Sequence, residues 1–304
     1  MSGGKGVVGI IGLGIMGGAF ARNLAAAGWH VIGYDVDAKA RRALAKAGVT
    51  IASGTAEVAR DAPTIITSLP HPSALAATAE AIAKAGVKRR VIVEASTFTL
   101  DDKTKAEERL RAAGHVMLDC PVSGTGSQAK VKDMVIYASG DKRTIAALQP
   151  MFTDFSRKTY DLGAFGNGSR MKYVANLLVA IHNVASAEAM VLGMKAGLDP
   201  KTISEMVTSG AGNSRVFELR APMMVKNRYD EATMKIKIWQ KDMAVIGEYA
   251  AMLGCPTPLF SATLPIYAAA MSNGHGADDT AAVCAVLESM AGVTRKGKGK
   301  GKGR

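Results

Sequence analysis

The sequence contains few cysteines and few aromatic residues. Three cysteines (Cys120, Cys255 and Cys284) occur among 304 residues, with no CxxC pair and no spacing typical of metal ligands. This odd, sparse set is not that of a disulfide scaffold, and it indicates a reducing compartment and no metal site. Aromatic residues make up 5% of the chain, whereas Ala, Gly and Met are plentiful, which favours tightly packed helices over an all-β sandwich.

Long uncharged apolar runs are also missing. The longest candidate, 173–187, contains His182 and Asn183 and falls short of the roughly 20 residues that a membrane helix needs. The first residues, MSGGKG, lead into an apolar strand without the basic and apolar regions of a signal peptide. We therefore expect a cytoplasmic protein that does not bind membranes.

Positive charge exceeds negative charge, but unevenly along the chain. Of 38 Lys and Arg residues, six lie in the segment 295–304, RKGKGKGKGR, which accounts for half of the net charge of +12. A glycine-interleaved basic segment cannot bury a core, so we predict a disordered tail over 293–304. A solubilising tail is favoured over one that binds nucleic acid, because no other segment resembles a nucleic-acid module.

A glycine motif follows the first predicted strand. The run Val7–Ile11 is apolar, GLGIMG follows at 12–17, and a helical stretch then leads to a second strand that ends at Asp35. Strand, glycine turn, helix, strand and acidic residue in this order form the dinucleotide-binding fingerprint. The predicted cofactor contacts in this segment are Gly12, Gly14, Ile15, Met16, Gly17 and Asp35.

Each of these positions has a physical role. Gly12 permits the tight turn, Gly14 lets the backbone approach a pyrophosphate, and Gly17 lets the helix pack closely on the strand. Asp35 accepts hydrogen bonds from the adenosine ribose hydroxyls and repels a 2′-phosphate, so we predict NAD rather than NADP as the cofactor. The basic pair at 41–42 lies close enough in sequence to weaken that preference.

Buried apolar runs alternate with Ala-rich helical stretches, which predicts an α/β fold with a Rossmann-type doubly wound sheet over 1–166. Ligands of such sheets lie beyond the carboxyl ends of the strands. Leu69-Pro70 and Ser96-Thr97 follow two strands, and these residues alone leave cofactor contact and ordinary loop or capping roles equally open. Further strands are predicted at 64–69, 90–95 and 115–119, with runs at 134–139 and 158–161 extending the same sheet.

The loop at 119–134, DCPVSGTGSQAKVKDM, is rich in small polar residues. Ser123, Gly124 and Thr125 offer successive backbone N–H groups and hydroxyls to one anion, an arrangement suited to a carboxylate. A surface turn explains the same residues equally well.

A long apolar helix is predicted over 169–196, with no glycine or proline from 169 to 192. At this length it extends for roughly 42 Å. Lys172, Asn176 and Asn183 fall on one stripe of its surface, and spacing alone favours a lysine that extends to solvent. Helical patterns continue to 292, so we predict an all-α second domain over 167–292, joined to the first by this interdomain helix.

Four motifs together resemble the β-hydroxyacid dehydrogenase family. In chain order they are GIIGLGIMGGAFARNL, DCPVSGTGSQAKVKDM, GNGSRMKYVAN and IWQKDM. The resemblance covers the chain apart from the basic tail. It implies an oxidoreductase that uses NAD to interconvert a short β-hydroxy acid and its semialdehyde or keto acid.

The resemblance also implies roles for individual residues. Lys172 matches the catalytic lysine, a general acid and base whose pKa would be lowered by desolvation and by the charge of Lys241. Asn176 matches its catalytic and substrate-binding partner, and Lys241 matches a lysine that contacts both cofactor and substrate. The other matching positions are Ser123, Gly124 and Thr125 for the substrate carboxylate, and Leu69, Pro70 and Thr97 for the cofactor.

Some positions depart from the family pattern. Thr125 and Lys132 stand where glycine is usual, and Met234 stands where a phenylalanine commonly lines the pocket. These changes alter the pocket and leave 3-hydroxyisobutyrate, tartronate semialdehyde and four-carbon sugar acids open as substrates.

An alternative of another class is a non-catalytic dinucleotide-binding protein held on nucleic acid by its tail. The apolar helices of the second domain predict a homodimer or homotetramer.

Overall fold

The computed structural model describes residues 4–295, so residues 296–304 of the predicted tail lie outside the described residues. The chain forms two compact units, which divide between Ala175 and Asn176. The first unit is α/β and the second is helical.

The first unit contains a six-stranded parallel sheet. Its strands are β1 (Val7–Ile11), β2 (His30–Tyr34), β3 (Thr50–Ile51), β4 (Thr64–Thr67), β5 (Val91–Glu94) and β6 (Val116–Asp119). The intervening helices are α1 (Ile15–Ala26), α2 (Ala38–Ala45), α3 (Thr55–Asp61), α4 (Pro72–Ala83) and α5 (Leu100–Ala112). The strand order is β3-β2-β1-β4-β5-β6, so the winding reverses between β1 and β4, where open α/β sheets bind their ligands. The predicted Rossmann-type sheet is confirmed.

The strands read as continuous apolar runs because both faces of the sheet are covered. Ile10 and Ile66 pack into one apolar cluster, whereas their chain neighbours Ile11 and Ile65 pack into another. Successive side chains of a strand point to opposite faces, so each pair supplies both layers. The sheet is thereby buried between two helical layers, and its strand ends present the loops that follow them.

The last strands of this unit form a second sheet. They are β7 (Val122–Ser123), β8 (Val135–Ala138) and β9 (Lys158–Asp161), and the helices α6 (Gly126–Lys130) and α7 (Lys142–Phe155) lie between them. The prediction that 134–139 and 158–161 extend the main sheet is wrong, because β8 and β9 pair with β7 in a separate three-stranded sheet. A bridge between Asp119 and Ser139 links the two sheets. Cys120 and Pro121 separate Asp119 from β7, and Pro121 has no N–H to donate to a ladder.

The helix α8 (Asn167–Lys195) has 29 residues and runs from the first unit into the second. The other helices of the second unit are α9 (Pro200–Ser209), α10 (Arg215–Lys226), α11 (Ile236–Met252), α12 (Pro258–Ser272) and α13 (Val283–Ala291). This confirms the predicted helical second domain joined through a long helix. Arg295, at the start of the predicted tail, donates to the carboxylate of Glu288 and to the backbone oxygen of Val225.

Within residues 4–295, α8 is the one helix long and apolar enough to cross a membrane by length and composition. A core helix of a soluble protein meets the same criterion. Asn183 is buried on α8 and donates to the hydroxyl of Tyr267 at 2.8 Å and to the backbone oxygen of Thr280 at 2.9 Å. These hydrogen bonds satisfy the side-chain NH2 group of Asn183, whereas its Oδ1 is buried without a hydrogen-bond partner among the described residues. Asn183 therefore has a place in the helical core, a role that the sequence did not assign.

Candidate active site

The glycine loop lies between β1 and α1, at the carboxyl end of the central strand. Gly12 has a φ of +90°, a left-handed conformation that L side chains rarely adopt. A Cβ on Gly17 would lie 1.9 Å from the backbone oxygen of Gly12, so the helix touches the turn directly. A Cβ on Gly14 would meet no atom within 4 Å. The bare backbone of Gly14 therefore faces open space, as the approach of a pyrophosphate requires.

Asp35 follows β2 and is bound to this loop. One carboxylate oxygen of Asp35 accepts the N–H of Leu13 at 2.6 Å, and the other accepts the N–H of Asp37 at 2.8 Å. Arg41 donates to the backbone oxygen of Asp35 at 2.5 Å. The acid is thus held beside the glycine turn, with the basic side chain of Arg41 packed against the same backbone segment.

The other predicted cofactor contacts follow β4 and β5. Leu69 donates its N–H to the hydroxyl of Ser96 at 2.8 Å, which ties together the two loops that contain Pro70 and Thr97. Pro70 is exposed, and Leu69 and Thr97 are half-buried. Because all these strands are parallel, their carboxyl ends meet at one edge of the sheet. The structure therefore brings the predicted cofactor contacts of β1, β2, β4 and β5 to a common edge.

The segment Ser123–Thr125 lies just beyond β6, around the short strand β7. Gly124 has a φ of +144°, which again favours glycine. The N–H of Thr125 is bound to the side-chain oxygen of Gln128 at 3.0 Å, and its hydroxyl lies 2.9 Å from that of Ser127. The predicted set of three anion-binding N–H groups is therefore incomplete in this conformation. The hydroxyl of Ser127 is a polar group at this segment that the sequence analysis did not single out.

Lys132, in the same loop, has a φ of +60°. This left-handed conformation is less favourable by about 1–2 kcal/mol for a residue with a Cβ. That cost explains physically why glycine is the usual residue at this position of the family motif.

Lys172 lies in the second turn of α8, in the first unit. It is 8% exposed, so its side chain is buried rather than extended into solvent, contrary to what spacing alone favoured. Three residues earlier, Ser169 donates both its N–H and its hydroxyl to Asp119, at 2.7 and 2.8 Å. The start of the helix is thereby bound to the end of β6.

Asn176 follows Lys172 by one helical turn and is 3% exposed. In the second unit its amide donates to Oδ2 of Asp242 at 2.9 Å, while Lys241 lies 2.9 Å from Oδ1 of the same carboxylate. The buried Asp242 thus joins the two predicted residues of this unit. Sequence reasoning missed it, although it is the residue after Lys241 in the motif IWQKDM.

Cys120 supplies no nucleophile to this arrangement. Cys120 is buried, and its burial together with the charge of Asp119 raises the pKa of the thiol well above its ordinary value. The thiolate form is therefore disfavoured. Among the described residues, no group of three or more His, Cys, Asp or Glu side chains is placed to hold a metal ion.

Comparison with known proteins identifies the chain. Residues 7–163 match the family described as the NAD binding domain of 6-phosphogluconate dehydrogenase, and residues 166–287 match the family described as NAD-binding of NADP-dependent 3-hydroxyisobutyrate dehydrogenase. The chain belongs to the β-hydroxyacid dehydrogenase family. Its cofactor is accordingly a nicotinamide dinucleotide, and the open backbone at Gly14 beside the anchored Asp35 fits such a group.

Individual members of the family align over almost the whole chain. L-threonate dehydrogenase of Cupriavidus necator is 30% identical over 287 residues, which cover 93% of this chain and 96% of that one. Mitochondrial 3-hydroxyisobutyrate dehydrogenase of Rattus norvegicus is 29% identical and covers 91% of this chain and 85% of its own. The crystal structure of 3-hydroxyisobutyrate dehydrogenase from Salmonella typhimurium superposes with a TM-score of 0.85 at 29% identity, covering 93% of this chain and all of that one. This β-hydroxyacid dehydrogenase therefore has the fold and the oxidoreductase class of its relatives.

Proposed function

We propose that the protein is an NAD-dependent dehydrogenase that interconverts a short β-hydroxy acid and its semialdehyde or keto acid, with Lys172 as the general acid and base. The observation that carries the proposal is the burial of Lys172 on a helix whose first turn is bound to the end of β6. A lysine that merely extends to solvent needs no such support.

The chemistry divides between cofactor and protein. A bound nicotinamide dinucleotide would supply the hydride acceptor for oxidation of the carbinol carbon and the hydride donor for the reverse reaction. Lys172 takes the hydroxyl proton as the hydride leaves, and it returns that proton in the reverse direction. Asn176 orients the substrate hydroxyl, and its amide is held for this by Asp242. Lys241, paired with the same carboxylate, supplies a positive charge for the substrate and the cofactor.

The substrate carboxylate is assigned to Ser123, Gly124 and Thr125. For the N–H of Thr125 to donate to a carboxylate, its bond to Gln128 must be replaced, so we propose that substrate binding rearranges this turn. The hydroxyls of Thr125 and Ser127 favour an acid with additional hydroxyl groups. Among substrates of relatives, L-threonate has this character, so a four-carbon sugar acid is a candidate beside 3-hydroxyisobutyrate and tartronate semialdehyde.

The function is tested by an assay of short β-hydroxy acids and semialdehydes with the oxidised and reduced forms of NAD and NADP. The absorbance of the reduced nicotinamide measures turnover. We expect turnover of at least one short β-hydroxy acid with NAD, because Asp35 disfavours a 2′-phosphate. 2-Hydroxy acids of equal length that have no 3-hydroxyl serve as controls and are expected to react poorly. No turnover of any β-hydroxy acid by correctly folded protein that binds NAD would favour the alternative of a non-catalytic dinucleotide-binding protein.

The cofactor preference is tested by Asp35→Asn. This change removes the negative charge but retains a side-chain oxygen that can accept the N–H of Leu13. We expect the ratio of kcat/KM for NAD to that for NADP to fall on the order of tenfold, since an unscreened pair of like charges costs about 1–4 kcal/mol at 4 Å. Asp37→Asn, two residues away, is the matched control. An unchanged ratio in Asp35→Asn contradicts the role of Asp35.

Three further properties belong to the proposal. We propose a soluble, cytoplasmic protein, in line with its bacterial relatives of the same length. A homodimer or homotetramer is supported by apolar side chains that the second unit leaves exposed, namely Leu178, Leu192, Leu259, Leu264 and Met271. Nucleic acid is not a proposed partner.

A further inference from the structure

Lys103 is a fully buried lysine that the glycine motif and the substrate motifs do not include. It lies on α5, whose sequence LDDKTKAEERLRA is typical of an exposed polar helix. Its ammonium group is 2.7 Å from a carboxylate oxygen of Glu94 and 2.7 Å from one of Asp119, and all three side chains are 0% exposed. Burial lowers the pKa of Lys103, but the charges of Asp119 and Glu94 outweigh burial and raise that pKa. The ammonium group therefore stays charged.

The cluster carries one positive and two negative charges, so its surplus negative charge needs further donors. Asp119 obtains them from the first turn of α8. Besides the N–H and hydroxyl of Ser169, the hydroxyl of Ser139 lies 3.2 Å from a carboxylate oxygen of Asp119 and accepts the N–H of Gly168 at 2.9 Å. The positive end of the α8 dipole thus faces a carboxylate from β6.

A second bond fixes the next turn of the same helix. The hydroxyl of the buried Tyr173 donates to the backbone oxygen of Phe98 at 2.5 Å. Lys172 follows Ser169 by three residues and directly precedes Tyr173, so residues on both sides of it bind α8 to β6 and to the loop after β5. A rotation or shift of this part of α8 would break these bonds.

The other end of the cluster reaches the cofactor edge of the sheet. Oε1 of Glu94 accepts the N–H of Ser96 at 2.9 Å, and the hydroxyl of Ser96 accepts the N–H of Leu69. One chain of polar contacts therefore runs from the loops after β4 and β5, through Lys103, to the first turn of α8.

We propose that Lys103, with Glu94 and Asp119, is a positioning device that sets Lys172 relative to the loops after β4 and β5. The proposal rests on the proposed function of Lys172. A buried ion cluster contributes little net stability compared with apolar residues of similar size, so stability alone does not account for three buried charges. A role in the placement of Lys172 accounts for them, because a shift of about 1 Å in a reacting group can lower the rate on the order of a hundredfold.

The test uses variants that keep the core charge balanced. Asp119→Asn leaves Lys103 paired with Glu94, and Ser169→Ala removes only the hydroxyl bond to Asp119. We expect both to fold and to bind NAD with a Kd within about twofold of wild type, while kcat falls on the order of tenfold and KM changes little. Hydrogen exchange in the first turn of α8 should be faster in both. Ser186→Ala is the matched control, because Ser186 is also buried on α8 but its hydroxyl donates to the backbone oxygen of His182, one turn earlier on the same helix.

Lys103 itself is probed by Lys103→Arg and Lys103→Met. Arginine keeps the charge and is expected to retain more of kcat than methionine. Wild-type kcat in folded Asp119→Asn and Ser169→Ala, with only a lower melting temperature, would overturn the proposal and leave a structural cluster. Failure of the proposed function gives a different pattern: Lys172→Ala would then keep its turnover, whatever the exchange rates in α8.

Discussion

Lys172→Ala is expected to lower kcat by a factor of about 10² to 10⁴, the usual contribution of a positioned acid and base. The variant should still bind NAD with unchanged affinity, because the glycine loop and Asp35 lie on other elements of the first unit. Loss of the amine removes proton transfer in the transition state, so kcat and kcat/KM should fall together. Steady-state kinetics in both directions, with the NAD Kd from titration, measure these quantities.

Arg170→Ala is the matched control for Lys172→Ala. Arg170 lies two residues earlier on α8 and is exposed, and its guanidinium group donates to the side chain of Asn167 at 2.6 Å. Arg170→Ala removes a positive charge two residues from Lys172 and leaves the buried amine in place, so we expect kcat within about twofold of wild type. Turnover of Lys172→Ala equal to that of Arg170→Ala would remove Lys172 from the mechanism.

Gly14→Ala is expected to weaken NAD binding without loss of stability, whereas Gly17→Ala is expected to lower the stability of the protein. The methyl group of Gly17→Ala would lie 1.9 Å from the backbone oxygen of Gly12, a clash that only a backbone shift relieves. Alanine within α1 gains about 1 kcal/mol of helix propensity, but overpacking costs about 1–3 kcal/mol and occasionally more, and a contact of 1.9 Å with backbone lies at the severe end of that range. We therefore expect Gly17→Ala to lower the free energy of unfolding and to distort the cofactor loop.

The methyl group of Gly14→Ala meets no protein atom within 4 Å. Its φ of −66° is accessible to any residue, so the melting temperature should be close to that of wild type. A pyrophosphate must approach the backbone at this point, so the NAD Kd should rise at least tenfold. Thermal unfolding and NAD titration separate the two variants. Tight NAD binding by Gly14→Ala would show that the pyrophosphate does not approach Gly14.

Much of the first unit could be predicted from the sequence because its signals are local. The glycine loop, the apolar strands and the acid after β2 are spaced along one short stretch of chain, and their order defines the dinucleotide fold. The long helix is equally local, since an unbroken apolar run from 169 to 192 has few alternatives. Lys172 was found through the family motif, because spacing alone favoured an exposed side chain.

Only the tertiary structure determined how distant residues pair. Lys103 lies among charged residues on α5, and nothing in that local pattern distinguishes the lysine that turns inward to Asp119 from its exposed neighbour Lys105. Asp242 and Asn176 likewise form a hydrogen bond although they are 66 positions apart in the sequence. The second sheet was not predicted, because the sequence of a strand does not specify which other strand it pairs with. The apolar pattern of β8 is compatible with pairing in either sheet. The sequence by itself determined the elements and the cofactor class, since periodicity and glycine spacing are properties of short segments. The burial of charges and the strand partners were decided by long-range packing, which no short segment contains.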